Sequence, residues 1–152
     1  MAEASVAERV AGHPRQVRLV DAAFDPVALV FLFVYESGGV SLETTLKHDG
    51  SSVNLRRLAR HAFEGLERLH SLGLYHSDLK PANILVQAKA DCETLHRIAD
   101  LGGMIEVGFH SHGVVRLAKT RCTLNFRAPE LLEGRSKPRA RSGFERTYGL
   151  WA

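Results

Sequence analysis

The sequence predicts an α+β fold, in which short pairs of strands lie before and after one long helix. The first strand pair is VRLVDAAF at residues 17–24 followed by residues 27–35, both rich in β-branched and aromatic side chains. The helix is predicted over residues 54–72, and the second strand pair over residues 84–86 and 95–99. Strands and helices that are grouped separately along a chain are typical of this class.

The elements before the long helix are set by turn and capping residues. Residues 2–11 are predicted to be the end of a helix, because a Gly-His-Pro sequence follows them. Asp25 and Pro26 predict a turn between the first two strands, which therefore form a β-hairpin that Ser37-Gly38-Gly39 closes. A short helix is predicted over residues 41–48, with Ser41 as its N-cap.

The long helix is predicted from the spacing of its apolar residues. These recur at steps of three and four, the period of a buried helical face, whereas most charged residues take the opposite face. The apolar residues are Leu55, Leu58, Ala62, Leu66 and Leu69. Gly73 follows as a helix C-terminal signal.

Two loops follow, and each meets a predicted strand. The loop YHSDLKPANIL at residues 75–85 runs into the strand at 84–86, and the polar turn 87–94 leads to the strand at 95–99. Asp100-Leu101-Gly102-Gly103 comes next, and then a long loop up to Asn125. Residues 128–130, Ala-Pro-Glu, predict the start of another short helix, because Pro fits a first helical turn.

Composition indicates a single soluble domain. The chain has 152 residues, of which 45% are hydrophobic and 24% charged, and a chain of this size buries roughly 68–70% of its unfolded surface. The two cysteines, Cys92 and Cys122, give no disulfide framework and no metal-ligand spacing, which favours a reducing compartment. His110 and His112 are interpreted as exposed loop residues, so no zinc site is predicted.

Neither a signal peptide nor a membrane span is predicted. The N-terminal segment has no apolar run, and the longest apolar run, VALVFLFV at residues 27–34, is too short to cross a bilayer and instead predicts a buried strand. An intracellular, cytoplasmic location is therefore expected. The net charge of +3 comes from residues 135–152, which carry five basic residues and one acidic residue. This basic tail is interpreted as a solvated loop, and it gives no clear nucleic-acid or membrane signal.

Four polar residues carry the predicted chemistry. Asp78 lies in the loop before the strand at 84–86, and Asp100 directly follows the strand at 95–99. With Asn83 they offer oxygen ligands for a hard cation. A carboxylate beside such a cation can accept the proton of an attacking hydroxyl group. Lys80 supplies a positive charge for a phosphoryl group. Together these are the groups that phosphoryl transfer to a hydroxyl requires.

Three ordered motifs resemble those of protein kinases. HSDLKPANILV resembles the kinase catalytic loop, IADLGG resembles the metal-binding Asp-Phe-Gly segment, and TLNFRAPE resembles the end of the activation segment. Residues 13–42 resemble the small-lobe strands and hinge. The resemblance covers about residues 3–134 and implies a partial kinase-like fold, consisting of a small-lobe remnant and the mainly helical first half of the large lobe. Residues 135–152 would be a basic tail or the start of the next large-lobe helix.

The resemblance implies a role for each catalytic and metal-binding residue. Asp78 would be the catalytic base, and Lys80 would steady the γ-phosphate as in Ser/Thr-specific kinases. Thr123 would contact both of them. Asn83 and Asp100 would bind Mg²⁺.

The resemblance also implies an ATP site and a protein substrate. Phe33 falls at the gatekeeper position, and Leu85 would form the floor beneath adenine. The Val34 carbonyl and the Glu36 N–H would hydrogen-bond the adenine ring. Phe33 and Leu85 are equally well interpreted as core residues.

The sequence departs from the kinase pattern at several positions. Ser77 stands where the family has an Arg that pairs with a phosphorylated activation loop, and Leu101 replaces the Phe of the metal-binding segment. No Gly-rich loop and no Val-Ala-Ile-Lys strand is found. Glu3 falls near the ion-pairing Glu of the regulatory helix. A protein kinase whose 152-residue chain is inactive alone is therefore expected, with two alternatives open: a pseudokinase-type binding or regulatory module, or a non-functional remnant.

Overall fold

The computed structural model describes residues 3–89, 93–106, 122–127 and 129. Three helices occur in these ranges: α1 (Glu3–Val10), α2 (Leu42–Asp49) and α3 (Leu55–Ser71). The strands are β1 (Leu19–Asp25), β2 (Val30–Tyr35), β3 (Val40–Ser41), β4 (Leu74–His76), β5 (Ile84–Ala88), β6 (Thr94–Ile98) and β7 (Met104–Glu106). Single 3₁₀ turns span Gly50–Ser52, Pro81–Asn83, Leu101–Gly103 and Leu124–Phe126. The predicted α+β class is confirmed.

The strands form three small antiparallel sheets. β1 pairs with β2, β5 lies between β3 and β6, and β4 pairs with β7. Sequence analysis predicted four of these strands but not β3, β4 or β7, which have only two or three residues each. Segments this short show no readable alternation of polar and apolar residues.

The core lies where α1 and α3 pack against the strand ends and the Leu101–Gly103 turn. Its buried members are Val6, Ala7, Val10, Val17, Leu66, Leu69, Leu74, Ile98 and Leu101. Leu69 and Val10 have no exposed surface. The Arg9 guanidinium donates to the Leu72 carbonyl at 2.6 Å, which ties α1 to the end of α3. Leu74 and Leu101 belong to this core and lie where the two polar loops begin, so the core supports both loops.

The hairpin β1–β2 corrects the prediction that residues 27–34 form a buried strand. Val27 and Leu29 lie in the turn, 93% and 75% exposed, and Phe31 within β2 is 68% exposed. The Asp25 carboxylate accepts hydrogen bonds from the Val27 and Ala28 N–H groups, so the turn takes residues 26–29 rather than Asp25 and Pro26 alone. Composition predicts a strand, but burial requires a covering layer, and within the described residues this sheet has only two strands.

Helix α3 confirms the predicted helix and corrects one part of its buried face. Asn54 caps it by accepting from the Arg57 N–H at 3.0 Å. Leu66 and Leu69 are buried, but Leu55, on the same predicted stripe, is 71% exposed because it lies in the first turn, away from the core cluster. His61 and Gly65 are buried instead. At Gly65 a methyl group would approach the Ile98 side chain to 2.8 Å, so the helix lies unusually close to β6.

Two buried histidines join α3 to β6. The Nδ1 atoms of His61 and His96 lie 3.1 Å apart, and the His96 backbone N–H donates to His61 Nδ1 at 3.3 Å. His61 Nδ1 is therefore the acceptor of both bonds, which places a proton on His96 Nδ1. Burial and the Arg15 guanidinium lower the pKa of His61 to about 4. Burial, Arg15 and Arg57 also lower the pKa of His96.

We expect this pair to make the fold sensitive to acid. Because the folded state lowers the pKa of His61, the unfolded chain binds more protons below the ordinary value, and stability present above about pH 6.5 is lost as pH falls toward 4. The contribution of His61 to the free energy of unfolding should fall by about 2 kcal/mol between pH 7 and pH 5. Urea unfolding at several pH values measures this. His61→Asn, whose amide oxygen can replace Nδ1 as acceptor, should flatten the dependence.

The control for that experiment is His48→Asn, at an exposed position on α2. It should leave the pH dependence unchanged. Equal slopes for the wild-type chain and His61→Asn would contradict the assignment of acid sensitivity to the buried pair.

Several predicted features lie outside the described residues. They are Cys92, the His110 and His112 pair, the helix start at Ala128 and Glu130, and the basic tail 135–152. Among the helices of the described ranges, none is long and apolar enough to cross a membrane.

Candidate active site

The candidate site is built on two loops that leave one pair of strands. β4 and β7 pair antiparallel, and Asp78 follows β4 by two residues. Pro81 opens the 3₁₀ turn that leads to β5, a position that suits its fixed φ and its missing N–H. Asn83, at the end of that turn, is buried. The Asp78 loop is therefore fixed at both ends by strands.

Asp78, Lys80 and Thr123 are in direct contact. The Lys80 Nζ donates to Asp78 Oδ2 at 2.5 Å and to Thr123 Oγ1 at 2.8 Å. The Thr123 N–H donates to the other carboxylate oxygen, Oδ1, at 2.7 Å. Thr123 lies 45 residues beyond Asp78 in sequence, so the contact is purely tertiary. The structure brings together all three residues that were predicted to be catalytic.

Asn83 links the two predicted carboxylates. Its Nδ2 donates to the Asp78 backbone carbonyl at 2.9 Å and to Asp100 Oδ2 at 3.1 Å. Asp100 is exposed and has a left-handed backbone, with φ of 62°, which Asp tolerates better than most residues. The amide nitrogen makes both contacts, so the Asn83 side-chain oxygen takes part in neither. Asn83 and Asp100 thus lie side by side, as a shared metal site requires.

The charges around Asp78 keep its carboxylate ionised. Burial alone would raise the pKa of Asp78, but the hydrogen bonds from Lys80 and Thr123 outweigh it and lower that pKa. The same hydrogen bond to Asp78 raises the pKa of Lys80. The side chains of Asp78 and Lys80 are 16% and 23% exposed, so solvent reaches the ion pair but screens it only partly. At neutral pH the site therefore presents one proton acceptor and one fixed positive charge.

Two residues that sequence analysis assigned no role hold the loops. His76 Nδ1 accepts from the Asp78 N–H at 3.3 Å, so its Nε2–H donates to the Ala99 carbonyl at 2.9 Å, next to Asp100. Burial lowers the pKa of His76, which keeps it neutral for this bridge. Ser77 Oγ donates to the Gly103 carbonyl at 2.6 Å. The position of His76 in the loop motif could have indicated its role from the sequence, whereas no sequence feature indicated the contact of Ser77 with Gly103.

Comparison with known proteins identifies the family. The sequence model described as "Protein kinase domain" matches residues 1–144. This chain belongs to the protein kinase family. The match ends ten residues beyond the boundary predicted at residue 134, so that boundary stays a prediction.

The relatives of this kinase chain include protein kinases of fungi and plants. It is 32% identical over 125 residues to serine/threonine-protein kinase RAD53 of Saccharomyces cerevisiae. The aligned region covers 81% of this chain and 14% of that relative. It is 37% identical over 124 residues to serine/threonine-protein kinase ssp1 of Schizosaccharomyces pombe, with coverages of 78% and 18%. It is 31% identical over 124 residues to CBL-interacting protein kinase 17 of Oryza sativa subsp. japonica, and that alignment covers 81% of this chain and 26% of the relative. The chain thus spans between about a seventh and a quarter of these relatives' lengths.

The Leu101–Gly103 turn packs beneath α1. Leu101 is 1% exposed and belongs to the same core cluster as Val6 and Val10, so Leu at this position preserves apolar packing under the helix. Glu3 accepts a hydrogen bond from the Tyr35 hydroxyl and lies against Gly102, where a methyl group would meet its carboxylate at 2.8 Å. Burial and the neighbouring Glu3 raise the pKa of Tyr35, so the hydroxyl remains the donor.

The residues predicted to bind adenine lie in β2 and β5, except for Glu36, which directly follows β2. Leu85 is half-buried against Gly38, where an added methyl group would overlap the Leu85 side chain. Val34 is 53% exposed, and Phe33 is half-buried and stacked on Phe31 with ring centroids 6.3 Å apart. The Glu36 N–H donates to the Arg18 carbonyl at 2.9 Å, so adenine recognition through it requires that bond to be exchanged.

Asn83 and Asp100 match the ligand chemistry of Mg²⁺. Magnesium prefers oxygen ligands and is commonly held by one or two carboxylates together with substrate phosphates. The exposed Asp100 carboxylate and the amide oxygen of the neighbouring Asn83 meet that description. Within the described part of the chain, no three His, Cys, Asp or Glu side chains converge as an alternative metal centre.

Proposed function

We propose that this chain carries the catalytic centre of a Ser/Thr protein kinase, which in its complete form transfers the γ-phosphate of ATP to Ser or Thr hydroxyls of a protein substrate. The observation that supports it is the convergence of Asp78, Lys80 and Thr123 next to Asn83 and Asp100. A purely structural loop does not require an ionised carboxylate, a lysine and a second carboxylate within one half-exposed cluster. Phosphoryl transfer requires each of them.

The contacts suggest how the side chains act. Asp78 is ionised and oriented by the Thr123 N–H, so it can accept the proton of the substrate hydroxyl. Lys80 is held by Asp78 and Thr123, which directs its charge to the same place. Asn83 and Asp100 would hold Mg²⁺, which shields the phosphate charge when bound. Burial and hydrogen bonds within the loops fix these groups before substrate arrives, and such preorganisation is a main source of catalytic power.

The test of this function is the identity of the phosphorylated residue. A complete domain, in which kinase Gly-rich and Lys-bearing strands are joined ahead of this chain, is incubated with radiolabelled ATP and a mixed protein substrate. Phosphoamino acid analysis should find phosphoserine and phosphothreonine. Label on tyrosine alone, or no label from a domain that folds and binds ATP, would contradict the proposal.

A second candidate function is a pseudokinase-type binding module. The observation that favours it is the occupied hinge donor, because the Glu36 N–H already has a partner in Arg18. A module of this kind would keep the fold and the loop contacts without transferring phosphate. Its protein partner would be recognised by the outer surface of the domain.

The 152-residue chain by itself should bind ATP·Mg²⁺ only weakly. Its sequence has no Gly-rich loop to cover the phosphates, and adenine must displace the bond between Glu36 and Arg18. Isothermal titration calorimetry should therefore give a dissociation constant weaker than micromolar. Micromolar or tighter binding would contradict this prediction, because other residues of the chain would then have to cover the phosphates.

A further inference from the structure

Ser77 and Gly103 occupy the point at which the two catalytic loops separate. The pairs of the β4–β7 ladder are Leu74 with Glu106, Tyr75 with Ile105 and His76 with Met104. Ser77 and Gly103 are the next pair in that register, but the ladder ends before them. At this position the bond is made by a side chain, since Ser77 Oγ donates to the Gly103 carbonyl at 2.6 Å.

Both predicted carboxylates lie within three residues of this bond. Asp78 follows Ser77 directly, and Asp100 precedes Gly103 by a single 3₁₀ turn that is closed by the Met104 N–H to the Leu101 carbonyl. The turn is short and its Leu101 side chain is buried, so a displacement of Gly103 is passed on to Asp100. The bond therefore fixes the distance between the two loops at the point where they leave β4 and β7.

The chemistry of the position favours serine. The hydroxyl is a donor on a short side chain, and it is half-buried, so water competes poorly for the Gly103 carbonyl. Asn83 also connects the loops, through its bonds to Asp78 and Asp100. The bond from Ser77 to the Gly103 carbonyl is a second connection between the same loops.

We propose that Ser77 is a positioning residue: its hydroxyl fixes the Asp78 loop to the Asp100 loop through Gly103 and so sets the metal site. The proposal rests on the proposed function, because it concerns the same cleft. It assigns to an uncharged, permanently available hydrogen bond the task of holding the two loops together.

The test uses the 152-residue chain and Mn²⁺, a paramagnetic ion that takes the same oxygen ligands as Mg²⁺. Mn²⁺ binding is measured by electron paramagnetic resonance for the wild-type chain, Ser77→Ala and Ser77→Thr, with Asp100→Asn as the control that removes the ligand. Ser77→Ala should weaken Mn²⁺ binding roughly three- to tenfold, the range expected for one lost hydrogen bond. Ser77→Thr retains the hydroxyl and should stay within about twofold of wild type.

A second readout separates the loop contact from the metal. Hydrogen exchange of a peptide covering residues 101–106 should be faster in Ser77→Ala and should return to the wild-type rate in Ser77→Thr. The comparison requires that both variants unfold at the same midpoint temperature. Unchanged Mn²⁺ affinity in Ser77→Ala, or equal losses in both variants, would overturn the positioning role. If the wild-type chain binds Mn²⁺ no better than Asp100→Asn, the proposed metal function fails, and the exchange rates alone decide whether Ser77 holds the loops together.

Discussion

Asp78→Asn in a complete form of this kinase domain should lower turnover by about 10²- to 10⁴-fold, the usual contribution of a positioned general base. Nucleotide binding should persist, because the Asn oxygen can still accept from the Thr123 N–H and the loop shape is retained. The amide cannot accept the substrate proton, and it also loses the ion pair with Lys80. Steady-state phosphotransfer and nucleotide titration, measured on the same preparation, separate the two effects.

Asp100→Asn is the matched comparison, because it also changes a carboxylate to an amide in the same cleft. It should weaken Mg²⁺-dependent nucleotide binding as well as turnover, since Asp100 is assigned to the cation and not to the proton. The two variants therefore predict different patterns of loss. Unchanged turnover in Asp78→Asn would mean that the loop at residues 75–85 is structural, whatever its resemblance to a catalytic loop.

Leu69→Ala should destabilise the fold by about 2–5 kcal/mol, the range for deleting a buried leucine side chain. Leu69 has no exposed surface and lies in the core cluster with Val10 and Leu74. The substitution leaves a cavity where α1, α3 and β4 meet, directly behind the candidate site. Chemical denaturation monitored by circular dichroism gives the change in free energy of unfolding.

Leu55→Ala is the control, because it makes the same substitution on the same helix at a position that is 71% exposed. Its effect should stay within about 0.5 kcal/mol, as for most surface substitutions. Similar losses for the two variants would show that the core assignment is wrong, or that another part of the chain covers Leu55 in solution.

The local elements of this kinase chain could be predicted from the sequence because local interactions form them. The Ser41 and Asn54 caps use a side chain and a backbone N–H three residues apart, and the turn at Asp25 uses its own carboxylate. The loop motif also predicted which residues would carry the chemistry, since Asp78, Lys80 and Asn83 lie within six residues. For such features, the partner of each group is a near neighbour in sequence.

Burial and convergence were decided by the tertiary structure alone. Leu55 and Leu69 belong to one apolar stripe, but only Leu69 is covered, and the apolar run of β2 forms a strand that is largely exposed. Thr123 reaches Asp78 across 45 residues, and Ser77 reaches Gly103 across 26. The physical reason is the same in each case: a residue's type sets which contacts it can make, whereas its burial and its long-range partners depend on which other segments pack against it.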